Sequence, residues 1–288
     1  MSEALMVLVL GTATPGGGFP VYGDAFAQAV NSAEARLRIE PKNTKGSTEN
    51  LPLLEEGKVD LALVAGELAS AALAKPGTPH RIVAVMYASP GMFIVLPGSP
   101  VRRVSDLRGK PVVLGTKASG ITVLGRTVLS ALDLQVEQIT LEKAEDGPPL
   151  LLSGKAAAVW GAGVGWPAFA ALAKQGGRFI GLTEEEILAV LKKNPSLQRV
   201  TLPAGSYAGQ ESDLPSVGSW SYVFARPGLP DEAAYLLARA IHRAEPKLAA
   251  SLQQARETTM ANLVAAAPRP GLIHPGAQRY LREIGLLR

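Results

Sequence analysis

The segment from Val7 to Gly23 reads VLVLGTATPGGGFPVYG. It begins with the apolar run Val7–Leu10, continues through a glycine- and threonine-rich loop over residues 11–18, and leads into a helical pattern from Asp24. A continuous apolar run is typical of a parallel strand that is buried on both faces. Glycines let backbone N–H groups approach a ligand closely, and a helix N-terminus adds positive potential. The segment therefore predicts a pocket for a polar or anionic small molecule at the carboxyl end of the first strand.

The loop has two other interpretations, a phosphate-binding loop of a cofactor site and a purely structural connection. Residues 11–16 read GTATPG, which does not match G-x-G-x-x-G, and no Gly-Lys-Ser/Thr triplet follows as a P-loop requires. A phosphate-binding cofactor loop is therefore disfavoured, and we expect no cofactor. A tight strand-to-helix connection that binds nothing remains the structural alternative.

The composition limits the class of protein. The chain has 288 residues, of which 47% are hydrophobic, so it is long enough for two domains with sizeable cores. Lys and Arg are scattered rather than clustered, which argues against a nucleic-acid partner. Cysteine is absent and the three histidines, His80, His242 and His274, lie in unrelated contexts, so we expect no metal site.

No apolar stretch approaches the length of about 20 residues that a membrane-spanning helix needs. The segment Met1–Leu10 lacks the basic start and the long apolar run of a signal peptide. We therefore expect either a cytosolic protein or a chain that begins at its mature N-terminus.

A second strand-loop-helix unit follows the first. Residues 36–40 alternate as a strand, residues 43–50 form a polar loop in which Ser47 is the expected helix N-cap, and residues 59–64 form a third buried strand. Polar loops at the same end of one sheet predict a shared crevice.

The chain then changes direction. Strands are expected over residues 82–87 and 92–96, and the segment 89–91 between them is too short for a crossover helix. A new strand ends at Gly115, and residues 116–120 form a small-residue loop before a helix over residues 121–132. This layout repeats that of the first unit and predicts a second α/β domain.

Residues 217–225 alternate around aromatic side chains and predict a single strand that returns the chain toward the first domain. We therefore expect lobe one to comprise residues 1–88 and 226–288, and lobe two to comprise residues 89–225.

Several ordered motifs spread over nearly the whole chain. They read KGSTENL at 45–51, GKVDLALV at 57–64, VSDLRGK at 104–110, PAGSYAGQ at 203–210, DLPSVG at 213–218 and IHPGAQRY at 273–280. In this order they resemble the TAXI-type solute-binding proteins of tripartite, ATP-independent periplasmic (TRAP) transporters. The first-loop aromatic, usually Tyr in that family, is Phe19 here, and Lys117 stands where a small residue or proline is usual.

The resemblance implies a type II periplasmic-binding-protein fold, with two three-layer α/β lobes, a hinge of two crossing segments and a ligand cleft between them. It also implies a monomeric periplasmic protein that delivers a glutamate- or glutamine-like amino acid, or a related organic acid, to a TRAP-type membrane permease. An ABC-type binding protein or a small-molecule sensor domain on the same fold is the alternative. An enzyme is disfavoured, because the loops offer Ser, Thr and Gly without a nearby general base.

A buried carboxylate needs hydrogen-bond donors and a counter-charge. The expected ligand-binding residues are Thr12, Thr14, Gly17, Gly18, Phe19, Ser47 and Glu67 in lobe one, and Lys117, Ser119, Gly120, Trp160 and Tyr207 in lobe two. Five of them have a structural alternative: Ser47 caps a helix, Glu67 and Lys117 are solvated, Trp160 packs in the core, and Tyr207 stabilises a loop.

Overall fold

The computed structural model describes residues 5–288, which form twelve β-strands and ten α-helices. The strands are β1 (Met6–Gly11), β2 (Leu37–Lys42), β3 (Leu61–Val64), β4 (Arg81–Ala88), β5 (Gly91–Val95), β6 (Pro111–Thr116), β7 (Glu137–Leu141), β8 (Ala158–Ala162), β9 (Arg178–Ile180), β10 (Gln198–Leu202), β11 (Leu214–Gly218) and β12 (Trp220–Ala225). The helices are α1 (Gly18–Ala33), α2 (Ser47–Glu55), α3 (Gly66–Ala74), α4 (Gly120–Ala131), α5 (Gly147–Leu152), α6 (Pro167–Lys174), α7 (Glu184–Lys193), α8 (Asp231–Ser251), α9 (Met260–Ala266) and α10 (Pro275–Glu283).

The chain divides into two compact units. Of the described residues, the first unit comprises those up to Ala13, together with Phe19–Tyr87 and Trp220–Arg288. The second unit comprises Thr14–Gly18 and Ala88–Ser219. Two α/β units were expected from the sequence.

The first unit contains a five-stranded sheet in the order β2-β1-β3-β12-β4. Strand β1 is parallel to both β2 and β3, and β12 is antiparallel to β3. Helix α1 covers this sheet with Tyr22, Phe26 and Val30, which follow a four-residue spacing and are fully buried. This spacing places the three side chains on one helix face, which explains why the segment is helical and how it joins the core.

The second unit contains a five-stranded sheet in the order β7-β6-β8-β5-β9 and a separate antiparallel pair, β10 and β11. Strand β6 is parallel to β7 and β8, whereas β5 is antiparallel to β8 and β9. Two clusters of buried side chains lie within this unit, one containing Trp160 and the other Phe169.

Helix α1 begins earlier than the sequence predicted, at Gly18 rather than Asp24. Pro20, which preceded the predicted helix, lies in the first helical turn, where a backbone N–H has no partner within the helix and proline is tolerated. Similarly, Pro41 lies in β2, which is an edge strand of its sheet and therefore accommodates a residue without an N–H donor.

The single strand predicted over residues 217–225 is wrong. The chain forms two strands there, β11 and β12, which belong to different sheets and are separated by Ser219. Strand β12 pairs with β3 in the first unit, so the second unit ends at Ser219 and not at residue 225. Both strands are largely buried, and the alternating pattern continues from β11 into β12. The sequence pattern therefore does not indicate where the chain passes from one sheet to the other.

Candidate functional site

The carboxyl edge of the first unit's sheet brings three helix N-termini together. Strands β1, β2 and β3 are parallel, and each is followed by a loop and then by α1, α2 or α3. The connection from β1 leads to β2 on one side, and the connection from β2 leads to β3 on the other side of β1. The point between β1 and β3 is therefore a topological switch point, which is where open α/β sheets bind ligands.

Thr12 follows β1 at this edge and is 1% exposed. Its hydroxyl donates to the carbonyl oxygen of Lys42 at 3.1 Å, and its backbone N–H donates to the same oxygen at 2.9 Å. A methyl group of Thr12 would lie 2.6 Å from a Cβ on Gly23, so this glycine allows α1 to approach the strand end. Thr12 therefore joins the loops that follow β1 and β2, and its hydroxyl hydrogen is already engaged.

The rest of the first loop is more accessible. Thr14, Gly17, Gly18 and Phe19 are partly exposed, and the N–H of Gly17 donates to the carbonyl oxygen of Thr14 at 3.2 Å to close a turn. Gly18 is the first residue of α1, and Phe19 packs partly against the core of the first unit.

Ser47 does not cap α2 as the sequence predicted. The N-cap is Gly46, whose φ of 108° is a conformation that favours glycine. Ser47 is the first helical residue, is 1% exposed, and accepts a hydrogen bond at its Oγ from the N–H of Ala65 at 3.0 Å. It thereby ties the start of α2 to the end of β3. Among the residues that the structure describes, its hydroxyl hydrogen has no acceptor, so this group retains one donor.

Asn50 is a positioning residue whose role the sequence did not reveal. Its side-chain amide donates to the carbonyl oxygens of Thr12 and Leu63, both at 2.8 Å. The residue is fully buried and spans the ends of β1 and β3. In the sequence, Asn50 was assigned only to the polar loop over residues 43–50. The signal that was available is an amide close to the predicted start of a helix.

Glu67 lies in the first turn of α3 and is partly buried. A carboxylate at this position is favoured by the helix dipole, whatever else it contacts. It belongs to the same sheet edge as Thr12 and Ser47.

The second unit has an equivalent edge at the carboxyl ends of β6 and β8. Ser119 caps α4, and its Oγ accepts a hydrogen bond from the N–H of Ile121 at 3.2 Å. Gly120, which was expected to end the preceding loop, is the first residue of this helix. Lys117 is exposed, and its ammonium group makes no ion pair or hydrogen bond within residues 5–288.

The Thr122 side chain fixes the backbone that leads into the loop carrying Lys117. The Thr122 hydroxyl contacts the carbonyl oxygens of Leu114 at 3.0 Å and Thr116 at 2.7 Å. Gly115, with a φ of 110°, lies between them, and a Cβ at this position would be 2.9 Å from the Thr122 hydroxyl oxygen. The backbone before α4 is therefore fixed by contacts that only glycine permits.

Trp160 is fully buried in the second unit rather than lining an open surface. Its indole N–H donates to the carbonyl oxygen of Ile121 at 2.8 Å, and its ring packs on Phe93. A Cβ on Gly91 or Gly125 would lie 2.4 Å or 2.7 Å from the ring, so both glycines make space for it. Trp160 positions α4 and makes no surface available to a ligand.

Tyr207 is also structural. It is 6% exposed, and its hydroxyl donates to the carbonyl oxygen of Gly163 at 2.9 Å while it accepts from the N–H of Trp166 at 2.9 Å. Burial raises the pKa of Tyr207 well above its usual range, so the phenol keeps its proton. The Tyr207 hydroxyl both donates and accepts a hydrogen bond, and it thereby fixes the loop after β8 to the loop that contains Tyr207.

The two edges therefore offer neutral donors, helix N-termini and exposed lysines, namely Lys42 and Lys45 at the end of β2 and in the loop after it, and Lys117 after β6. This chemistry suits recognition of a polar or anionic small molecule. Within residues 5–288 there is no cluster of three or more His, Asp or Glu side chains able to hold a metal ion. Over the same residues, no helix combines the length and the apolar character needed to cross a membrane.

Three solved structures share the fold. The periplasmic binding protein BugD is 11% identical with a TM-score of 0.63, covering 100% of this chain and 99% of its own. The malate-bound MatC protein of Rhodopseudomonas palustris is 16% identical with a TM-score of 0.59, and the match covers 96% of each chain. The substrate binding protein of an amino acid ABC transporter is 16% identical with a TM-score of 0.52, covering 88% of this chain and 98% of its own.

At these identities the structures define the fold alone, which is the predicted type II periplasmic-binding-protein fold. Family membership rests on a separate match, because the sequence model of one family aligns with residues 10–285. That alignment spans nearly the whole chain, and the protein therefore belongs to the NMT1-like family.

Proposed function

We propose that this chain is the extracytoplasmic solute-binding protein of a TRAP-type transporter, that it binds a small carboxylate, and that it delivers this solute to a membrane permease. The observation that carries the proposal is the exposed ammonium group of Lys117, which forms no ion pair with any residue that the structure describes and lies beside the capped N-terminus of α4. The family and the fold support it, since the neighbours of the same fold are described as binding proteins and one contains malate.

The chemistry of a carboxylate fits this edge of the second unit. Removing a carboxylate from water is costly unless charge and hydrogen bonds replace its hydration. Lys117 supplies the charge, and the N–H groups at the start of α4 supply donors together with the positive end of the helix dipole. In the first unit, Ser47 retains a donor, and Glu67 offers an acceptor for the ammonium group of an amino acid.

The first test is binding to protein that has been unfolded and refolded to remove any solute carried through purification. The panel contains glutamate, glutamine, C4-dicarboxylates, 2-oxo acids and simple fatty acids. A solute present at about 100 times its Kd stabilises the folded protein by about 2.7 kcal/mol, which a thermal-shift measurement detects readily.

Variants then test each unit separately. We expect Lys117→Met to weaken binding of the acid about tenfold or more, and Ser47→Ala and Ser119→Ala to weaken it less. Lys192→Met, at an exposed lysine in the last turn of α7, is the matched control and leaves affinity unchanged. The proposal fails if no acid stabilises the protein, or if Lys117→Met binds the acid as tightly as the unmodified chain.

The alternative is an ABC-type binding protein, which the fold shared with the amino acid transporter component favours. Solute uptake into vesicles distinguishes the two, because an ABC permease requires ATP and a TRAP-type permease does not. We expect uptake with this protein and a TRAP-type permease in the absence of ATP.

A further inference from the structure

A second concave surface lies in the second unit, at the end of the sheet where β5 finishes and β6 and β8 begin. Its volume is about 530 Å³, and it is lined by the segment Leu96–Val101, by Lys110, by Leu151 and by the pair Ala156–Ala157. We call it the β5 pocket. Its volume lies within the range of about 300–1,000 Å³ that is typical of small-molecule sites.

The β5 pocket is distinct from the candidate solute site of the same unit. Lys110 immediately precedes β6, whereas Lys117 immediately follows it. The six residues of β6 therefore separate the two lysines, and at about 3.3 Å per residue this is about 20 Å. Binding at the β5 pocket is consequently independent of the proposed transport function.

The lining of the β5 pocket includes a lysine that forms no ion pair with the described part of the chain, and a second such lysine adjoins the pocket. Lys110 is partly buried, and its ammonium group makes no ion pair or hydrogen bond with any residue that the structure describes. The same holds for Lys155, which adjoins Ala156 and is exposed. The nearby carboxylate of Asp106 is bound to Arg103 and to the N–H of Arg102. An ammonium group without a partner at the rim of the pocket is available to pair with an anion, and the attraction between the two charges would stabilise the anion there.

One wall of the β5 pocket is held in place by Arg178. Its guanidinium group donates to the carbonyl oxygen of Val101 at 2.6 Å and reaches that of Ser99 at 3.5 Å. The N–H of Ser99 donates to the carbonyl oxygen of Leu96 at 3.0 Å, which closes a turn between Pro97 and Pro100. Two prolines and these contacts fix the backbone, so the pocket exists before any ligand binds.

We propose that the β5 pocket binds an amphiphilic monoanion, namely a medium-chain carboxylate whose apolar chain lies against Leu96, Leu151 and Ala157 and whose carboxylate pairs with Lys110. The lining is mainly Leu, Pro, Val, Ala and Gly, which favours a hydrocarbon chain over a sugar or a nucleotide. Lys110 is the charged residue of the lining, which favours one carboxylate over a phosphate group.

Isothermal titration with octanoate, compared with the uncharged octan-1-ol, tests the proposal. We expect Lys110→Met to weaken octanoate binding about tenfold and to leave octan-1-ol binding unchanged, because the methionine keeps the apolar stem but removes the charge. From butanoate to octanoate, affinity is expected to rise about fourfold for each methylene that is buried.

Gly98→Phe provides a second variant. A Cβ at Gly98 would have no described atom within 4 Å, so a side chain can start there without a clash at its first atom. Because Gly98 belongs to the lining, we expect the phenyl ring to narrow the pocket and to weaken the binding of both octanoate and octan-1-ol. Lys192→Met is the control for an unrelated surface lysine, and thermal unfolding verifies that each variant is folded.

The results that overturn the proposal are specific. If Lys117→Met weakens the binding of octanoate and Lys110→Met does not, octanoate occupies the candidate solute site instead. If neither Lys110→Met nor Gly98→Phe changes its affinity, or if affinity does not rise with chain length, the β5 pocket is not a site for an amphiphilic carboxylate.

Discussion

At the scale of single residues, Asn50 has a large predicted effect on stability. Its amide supplies donors to two carbonyl oxygens at the ends of β1 and β3, in a fully buried position. Asn50→Ala leaves both oxygens without a partner, and each unsatisfied buried group costs about 1–3 kcal/mol. We therefore expect the free energy of unfolding in urea to fall by about 2–4 kcal/mol. Asn43→Ala, at an exposed amide in the loop that precedes α2, should cost less than about 0.5 kcal/mol. Equal losses in the two variants would contradict the positioning role.

Residue type alone did not separate binding residues from structural ones. Trp160 and Tyr207 carry polar groups in segments that adjoin predicted loops, which made them candidates, but each uses its polar group to bond a backbone atom of its own unit. Their partners, Ile121 and Trp166, are about 40 positions away in the sequence. Contacts of this kind depend on how strands pair, and no local pattern specifies them.

At the scale of secondary-structure elements, α10 is predicted to depend on pH through its N-cap, His274. The Nδ1 atom accepts from the N–H of Gly276 at 3.2 Å, and the Nε2 atom lies 3.0 Å from the carbonyl oxygen of Leu229, so the ring is neutral with its proton on Nε2. Burial lowers the pKa of His274 below its ordinary value of 6.5, although the carboxylate of Asp231 partly opposes this. Protonation at Nδ1 removes the acceptor that caps the helix.

Because the pKa of His274 is lowered in the folded protein, the free energy of unfolding is expected to fall as the pH is lowered. Below pH 6.5 the unfolded chain takes up a proton at His274 more readily than the folded chain, so stability is present above this pH and is lost as the pH falls. His274→Asn retains a capping oxygen without a titrating group. We expect it to cost about 1 kcal/mol at pH 7.5 and to show a shallower loss of stability between pH 7 and pH 5, measured by urea unfolding. His80, whose pKa is also lowered by burial, contributes equally to both proteins and does not affect the comparison. Parallel pH profiles would contradict the prediction.

Elements defined by local signals were predictable from the sequence. Ser119 caps α4 and Thr183 caps α7 in a capping box with Glu186, because each pairing lies within one helical turn. The beginning of α1 and the division of residues 217–225 were not predictable in this way. The first depends on the loop packing that lets Gly18 and Pro20 enter the helix, and the second on which sheet each strand joins.

At the scale of the whole molecule, the second unit has the properties of an inserted domain. Residues 88–219 contain the complete sheet β7-β6-β8-β5-β9, and both buried clusters of the unit lie within this range. The two ends of the range are joined, since the N–H of Ser89 donates to the carbonyl oxygen of Ser219 at 3.2 Å. Gly218 permits this close approach, because a Cβ there would lie 2.1 Å from the carbonyl oxygen of Ser89. Domains whose ends meet are tolerated as insertions and as separate chains.

We therefore expect residues 88–219, expressed alone, to fold and to unfold cooperatively in urea. The matched control is the fragment of residues 88–202, which lacks β11. This strand contributes Val217 to the buried core, pairs with β10, and carries Ser216, whose hydroxyl donates to the carbonyl oxygen of Gly91. Without it, the exposed apolar face should bind the dye ANS and show no cooperative transition. Non-cooperative unfolding of residues 88–219 would mean that residues outside the fragment complete its core. The division of the chain at Ser219 would then describe the packing of the chain but would not mark an independently stable domain.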